Sequence, residues 1–289
     1  MRRSSRSTTL LYGQGVKECE TATMNKRLNI TIFIAVICSQ LSLEALAEPI
    51  ELRRAEHNGY TLWMDCERRG ASYFRYDLKA DNGSFNDGPG SFTRDEELGD
   101  CQPSSGDVFT SSNPDVTFEF QESYDRGHLV AANHLDGSAQ LYAGTYQRSN
   151  MLPQESSFNR NGAWAYLERQ AECYRDLTGL IIYGGVIWGF DKSNDWFIDS
   201  HGVETPDYWW RLHYRRDTGT YDAWLMANSA TSDRNQMERY RVSISELVAI
   251  ADYPLGFERE ILDSNRTVEM WNFEGWNILQ CEGTSTSNR

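Results

Sequence analysis

One polar stretch, spaced by glycines and followed by a helical pattern, constrains this chain more than any other feature. It consists of three blocks in chain order: Tyr124-Asp125-Arg126-Gly127-His128, Ser149-Asn150-Met151-Leu152-Pro153-Gln154 and Asn159-Arg160-Asn161-Gly162. Apolar residues at helical spacing follow over positions 163–178, with Glu168 inside that pattern. We expect His128 at the start of a strand over 128–132, and Glu168 on the helix.

The interval between Asn159 and Glu168 restricts where each residue can lie. The two are nine residues apart, which on one continuous helix is two and a half turns and places the side chains on opposite faces. They can share a site only if Asn159 lies in the loop before the helix, entered through Gly162, because glycine permits the backbone geometry of such a turn.

The residue types in these blocks suit the hydrolysis of a phosphodiester. An imidazole such as His128 can be neutral near pH 7 and take a proton from water. The amide oxygen of Asn159 can bind Mg²⁺, which keeps several waters, and Glu168 could hold one of those waters. Arginines such as Arg126 stabilise charge on phosphate oxygens. The set predicts a one-metal hydrolytic site.

Each of these residues also has a structural interpretation. A histidine after a glycine, such as His128, is more often a hydrogen-bonded structural residue. Asp125 and Arg126 could be a surface ion pair of little energetic value, whereas Asn150 and Asn159 could be turn formers. On this interpretation the blocks would shape a loop and carry no chemistry.

Residues near the blocks allow further alternatives. His134 is a rival base, but the neighbouring Asp136-Gly137 predicts an exposed turn. Glu168 could be an ordinary solvated helix position. Four tryptophans are predicted to be core residues rather than stacking platforms: Trp164, Trp209, Trp210 and Trp224.

The N-terminal segment predicts export. Residues 1–23 show no apolar periodicity, and we interpret them as an upstream extension before a start at Met24. Residues 24–47 combine a charged beginning, a short apolar core and an A-x-A site ending at Ala47, which is typical of a signal peptide. The alternative is an N-terminal anchor, which the short apolar core disfavours. We expect a single mature domain, 48–289, in the periplasm or the medium.

Cysteine count and charge limit the mature chain further. It keeps Cys66, Cys101, Cys173 and Cys281; an even number in an exported chain predicts two disulfides with three possible pairings, and buried free thiols are the alternative. Its 22 Lys and Arg against 39 Asp and Glu give a net charge of −17. This acidity argues against a general affinity for polyanions, so a nucleic-acid substrate would need a local positive field.

Strand patterns surround the helical pattern and predict the fold class. Aromatic-rich strands are expected at 60–64 and 71–78, a buried strand at 180–188, and a hairpin at 208–226. The segment 79–112 has a loop composition, and Ser245 is expected to cap a helix that ends at Ile250. Strands around one central helix indicate an α+β domain.

The three polar blocks and the helix start at 164–168 closely resemble the DNA/RNA non-specific endonucleases. These are ββα-metal nucleases, and they include secreted bacterial nucleases and mitochondrial endonuclease G. The likeness extends to 205–211 and 223–228 and covers roughly 66–257. It implies a ββα-metal (His-Me finger) fold, with a central antiparallel sheet and flanking helices. It also implies Mg²⁺-dependent hydrolysis of DNA and RNA, with Mn²⁺ as a substitute.

The resemblance assigns roles residue by residue. It implies a general base at His128, the single direct Mg²⁺ ligand at Asn159, a glutamate ordering metal-bound water at Glu168, a positioning asparagine at Asn150, an acid beside the catalytic loop at Asp125, and phosphate contacts at Arg126 and Arg94. Two features depart from the family pattern: the 159–168 interval is one residue longer, through Gly162, and the chain is strongly acidic.

These observations predict a secreted endonuclease whose partners are DNA and RNA. No obligate protein partner is evident, and no basic amphipathic segment points to a membrane. The main alternative is a secreted nucleic-acid-binding module that keeps the nuclease scaffold without turnover. Hydrolysis of another phosphodiester, such as a lipid headgroup, is a third hypothesis.

Overall fold

The computed structural model describes residues 50–83, 85–109 and 124–267, and it contains short strands and helices. The strands are β1 Arg53–His57, β2 Tyr60–Asp65, β3 Gly70–Leu78, β4 Tyr124–His128, β5 Met151–Glu155, β6 Leu180–Ile187, β7 Tyr208–Arg215, β8 Thr220–Ala227, β9 Arg241–Val242 and β10 Asn265–Arg266. The α-helices are α1 Ala139–Gly144, α2 Ser156–Arg160, α3 Ala163–Tyr174, α4 Ile198–His201, α5 Met237–Tyr240, α6 Ile244–Ile250 and α7 Arg259–Leu262.

Most strands join one large sheet. Its order is β1-β2-β3-β6-β7-β8-β10, with β9 paired to β8. All neighbours are antiparallel except β10, which runs parallel to β8. Strands β4 and β5 form a separate antiparallel pair. The predicted α+β class, with a central antiparallel sheet and flanking helices, is confirmed.

Alternation of side chains gives the large sheet two buried faces. In β6, Ile182 and Val186 pack in the same cluster as Trp164 of α3. Ile181 and Tyr183, the residues on either side of Ile182, pack in a second cluster that includes Leu247 of α6. A period of two is the property of a strand that sends successive side chains to opposite faces. The first face therefore carries α3, and the second face carries α6.

Asn159 lies on a helix of its own, which differs from the predicted loop. Glu155 starts α2 by accepting hydrogen bonds from the backbone N–H groups of Ser157 at 3.0 Å and Phe158 at 2.7 Å. The break before α3 falls at Gly162, where an added Cβ would lie 2.7 Å from Phe158 Cα. Asn159 and Glu168 are on different helices, as the nine-residue interval required, but the capped turn of α2 was not foreseen.

Two other local predictions were wrong. His128 ends strand β4 rather than starting a strand over 128–132, because β5 pairs with residues 124–128 and the chain then turns into a 3₁₀ helix at Ala132–Leu135. Helix α6 is capped by Ser243, not Ser245. Ser243 and Glu246 form a reciprocal capping box, which satisfies two backbone N–H groups at once.

The three described cysteines of the predicted mature chain are all disulfide-bonded. Cys66, in the β2–β3 turn, is bonded to Cys101, in the long segment that follows β3. Cys173 is disulfide-bonded as well, whereas Cys281 lies outside the described residues. Within those residues, none of the helices has both the length and the apolar character that a membrane span needs.

Candidate active site

The β4–β5 hairpin holds the first polar block in a fixed register. Arg126 lies opposite Pro153, and His128 lies opposite Met151. Between them, a side chain at Gly127 would clash with the side chain of Gln154. Only glycine allows this close approach of β4 to β5. The pairing of the two strands places Arg126 and His128 at the end of β4.

Asp125 ties this strand to the helix that carries Asn159. Its Oδ2 accepts hydrogen bonds from Asn159 Nδ2 and from Arg160 Nε, both at 2.8 Å. Its Oδ1 accepts from Ser156 Oγ at 3.0 Å and also pairs with Arg160 Nη2. One carboxylate thus joins β4 to three residues of α2, and sequence spacing alone did not indicate the Ser156 and Arg160 contacts.

The bond to Asp125 also orients the Asn159 amide. Because Nδ2 donates to Asp125, the amide oxygen points away from that carboxylate and is free to bind a cation. A single neutral oxygen suits Mg²⁺, which retains most of its waters. The described residues hold no group of three or more His, Cys, Asp or Glu arranged for a metal. The Asn159 amide oxygen could hold such a metal directly, with water completing its ligands.

His128 packs against two aromatic rings, Phe92 and Tyr146, which also contact each other. The Phe92 and Tyr146 centroids are 4.8 Å and 4.9 Å from its imidazole. Its Nε2 is buried and has no hydrogen-bond partner among the residues that the structure describes. Burial, with the Arg126 charge as a second cause, lowers the pKa of His128 to about 4. The imidazole is therefore neutral at pH 7, in the form that can accept a proton.

The two arginines predicted to contact phosphate differ in their surroundings. Arg126 donates Nη1 to the carbonyl of Gly106 at 3.0 Å and lies 5.3 Å from the Phe92 ring centroid. The described residues give it no carboxylate partner. Arg94 instead pairs with Asp100 at 3.0 Å and with Glu96 at 3.8 Å. Arg126 is the guanidinium better placed to receive an anion.

Asn150 forms hydrogen bonds with the backbone that follows His128. Its Nδ2 donates to the carbonyls of Val130 at 3.0 Å and Thr145 at 2.8 Å, and its Oδ1 accepts from Val130 N at 2.9 Å. Its backbone carbonyl accepts from Leu129 N at 3.0 Å. The side chain is fully buried, and its donors are used on backbone. This geometry makes Asn150 a positioning residue for the loop after His128.

Glu168 faces a buried cation. Arg211 of β7 is 0% exposed, and its Nη1 lies 3.6 Å from Glu168 Oε1. Its Nη2 donates to Tyr76 Oη at 2.8 Å, its Nε donates to His213 Nε2 at 3.0 Å, and the guanidinium lies 4.9 Å from the Trp164 ring centroid. No sequence signal singled out Arg211, because only the sheet register places it under α3.

His134 belongs to the same network, which contradicts the predicted exposed turn. It is buried, with Nδ1 2.6 Å from Tyr76 Oη and Nε2 3.0 Å from the carbonyl oxygen of Glu168. Burial, and then the charge of Arg211, hold the pKa of His134 well below its ordinary value. With both nitrogens engaged, His134 supports the helix that carries Glu168 and is not a free base.

Replacing Arg211 by methionine is expected to lower the free energy of unfolding by about 3 kcal/mol, because removing one partner leaves Glu168 and Tyr76 without their buried counterpart. Urea denaturation measures this loss. The matched control is Arg259→Met, which breaks an exposed pair with Asp263 and should cost less than about 0.5 kcal/mol. An Arg211→Met protein as stable as the control would show that the network contributes nothing to folding.

Comparisons with known proteins agree with this architecture. A chain of the crystal structure described as the EndoG/EndoGI complex matches with a TM-score of 0.53 at 19% identity, covering 79% of this chain and 95% of that one. Nuclease C1 of Cunninghamella echinulata var. echinulata is 22% identical over 203 residues, which are 66% of this chain and 78% of that protein. The family model for DNA/RNA non-specific endonuclease matches residues 41–261. The chain therefore belongs to the DNA/RNA non-specific endonuclease family.

Proposed function

We propose that this endonuclease hydrolyses DNA and RNA phosphodiesters with His128 as general base and Mg²⁺ held by Asn159. One observation carries the proposal. The Asp125 carboxylate, on the strand of Arg126 and His128, binds the amide nitrogen of Asn159, so that the amide oxygen points away from that carboxylate. Asp125 therefore links the hairpin that carries the proposed base and arginine to the helix that carries the cation-binding oxygen.

Each residue has a distinct task in this mechanism. His128, neutral because its pKa is lowered to about 4, takes the proton of the attacking water. Arg126 binds a non-bridging oxygen of the phosphate and stabilises its growing charge. Asn159 would hold the metal directly, and Glu168 would hold it through water, with Arg211 orienting the carboxylate. When bound, Mg²⁺ supplies positive charge for the leaving oxygen.

Export belongs to the same proposal. The signal-like segment 24–47 would be removed near Ala47. The Cys66–Cys101 bond and the bonded Cys173 support an oxidising compartment. Mass spectrometry of the protein secreted by its host tests this, with a mature N-terminus at Glu48 as the expected result and an intact Met24 start as the contrary one.

A digestion assay tests the activity. Purified protein is incubated with plasmid DNA and with RNA in Mg²⁺, in Mn²⁺, and with excess chelator. Cleavage of both nucleic acids with either metal, and none with chelator, is expected. Cleavage that persists in chelator would contradict the metal role. Binding without cleavage at every divalent metal would favour the alternative, a secreted nucleic-acid-binding module.

The lowered pKa of His128 predicts the acid limit of the reaction. The base works only when unprotonated, so kcat/KM should fall as pH drops through about 4, rather than through the ordinary histidine value of 6.5. The unfolded chain binds that proton at higher pH, so folded stability also decreases as pH falls below about 6.5. Arg126→Ala removes a cation that lowers this pKa, so the fall in kcat/KM should occur at a higher pH than in wild type. A fall in wild-type kcat/KM near pH 6.5 would contradict the assignment of this buried histidine as the base.

A further inference from the structure

A row of aromatic rings runs outward from the imidazole of His128. The Tyr146 ring packs on His128 with centroids 4.9 Å apart. Tyr142 follows at 5.6 Å from Tyr146, and Phe85 follows at 5.8 Å from Tyr142. Consecutive ring contacts therefore connect the proposed base to a phenylalanine that is 36% exposed.

Backbone contacts hold the outer end of this row in place. Phe85 N donates to the carbonyl of Asp136 at 3.2 Å, just before helix α1. The hydroxyls of Tyr142 and Tyr146 lie 3.3 Å apart. The chain at Gly88 passes so close that an added Cβ would be 2.9 Å from Tyr146 Cζ and 3.0 Å from Tyr142 Cε1. The row is thus built into the fold: Tyr142 lies in helix α1, and Phe85 is held against it from a segment without regular structure.

The charge of the chain favours a substrate contact that does not depend on neutralising phosphates. The whole chain has a net charge of −14, and two of the arginines near the site are neutralised, Arg94 by Asp100 and Arg160 by Asp125. Binding that relies on phosphate neutralisation would be weak on such a surface. Stacking of a base on an aromatic ring contributes affinity without any net charge.

We propose that Phe85 and Tyr142 form a stacking subsite for an unpaired nucleobase of the strand being cut, so that single-stranded DNA or RNA binds more tightly than duplex. This inference rests on the proposed function. In a duplex both faces of each base are covered by neighbouring bases, so only an unpaired base can offer a face to Phe85. Stacking also tolerates any base, which agrees with a non-specific enzyme.

Kinetics on matched substrates test the subsite. KM is measured on an unstructured single strand and on the same sequence as a duplex, for wild type, Phe85→Ala, Phe85→Trp and Phe190→Ala. Phe85→Ala should raise KM on the single strand by about 5- to 100-fold, and more than on the duplex. Phe85→Trp keeps a stacking face and should retain the wild-type ratio of the two KM values. Phe190, which is 96% exposed, is the aromatic control and should change neither value.

A binding readout separates this inference from the proposed function. Wild type and Phe85→Ala are titrated, with chelator present, into a single strand that carries 2-aminopurine, whose fluorescence falls on stacking. Quenching by wild type and weaker quenching by Phe85→Ala support the subsite even if no cleavage is seen. Equal quenching by the two proteins, or a ratio of KM values that Phe85→Ala leaves unchanged, would overturn it.

Discussion

Cleavage of plasmid DNA by His128→Ala is expected to be about 10²- to 10⁴-fold slower in kcat than cleavage by wild type, with KM little changed. The base acts on the proton of water in the transition state and makes no ground-state contact that the substrate needs. The change also removes the ring that packs against Phe92 and Tyr146, so the thermal midpoint of the variant is measured alongside kcat.

A second histidine provides the matched control. His57 also contacts a tyrosine ring, with its centroid 4.5 Å from that of Tyr60, and burial lowers its pKa as well. It lies on the edge strand β1, so His57→Ala should lose a ring contact without losing activity. Added imidazole should restore part of the His128→Ala rate. Undiminished cleavage by His128→Ala would remove the proposed mechanism.

Asn159→Ala is expected to be the other severe change. It removes the oxygen assigned to the metal, and kcat/KM at fixed Mg²⁺ should fall by at least about 100-fold. Asp125→Asn should weaken metal binding by about 10- to 100-fold although Asp125 is no ligand. Without the carboxylate, nothing obliges the Asn159 amide to donate its nitrogen toward β4, and its oxygen can turn away from the metal.

Calorimetric titration with Mg²⁺ and Mn²⁺ measures these affinities without turnover. Asn161→Ala is the control, since Asn161 is exposed at the end of α2, only two residues beyond Asn159. It should bind both metals as wild type does. If Asn159→Ala keeps the wild-type affinity for Mg²⁺, the metal must be held elsewhere, and Asn159 would be only a partner of Asp125.

Sequence spacing predicted more of the helices than of the contacts between them. The nine-residue interval from Asn159 to Glu168 excluded a shared helix face, and the structure does separate α2 from α3. The start of α2 was missed because its cap comes from Glu155, a carboxylate that also ends a strand. His134 was misjudged for a similar reason. Its neighbours Asp136-Gly137 indicate a turn, but the ring packs beneath α3 against Tyr76.

The sequence by itself determined the family, the α+β class and the residue types available for catalysis. Polar blocks and strand periodicity are local patterns, and they can be recognised without knowledge of the packing. Only the tertiary structure decided how those residues are held. Asp125 meets Asn159 across 34 positions, and Arg211 meets Tyr76 across 135. Contacts over such separations depend on sheet register and helix packing, which no local pattern encodes.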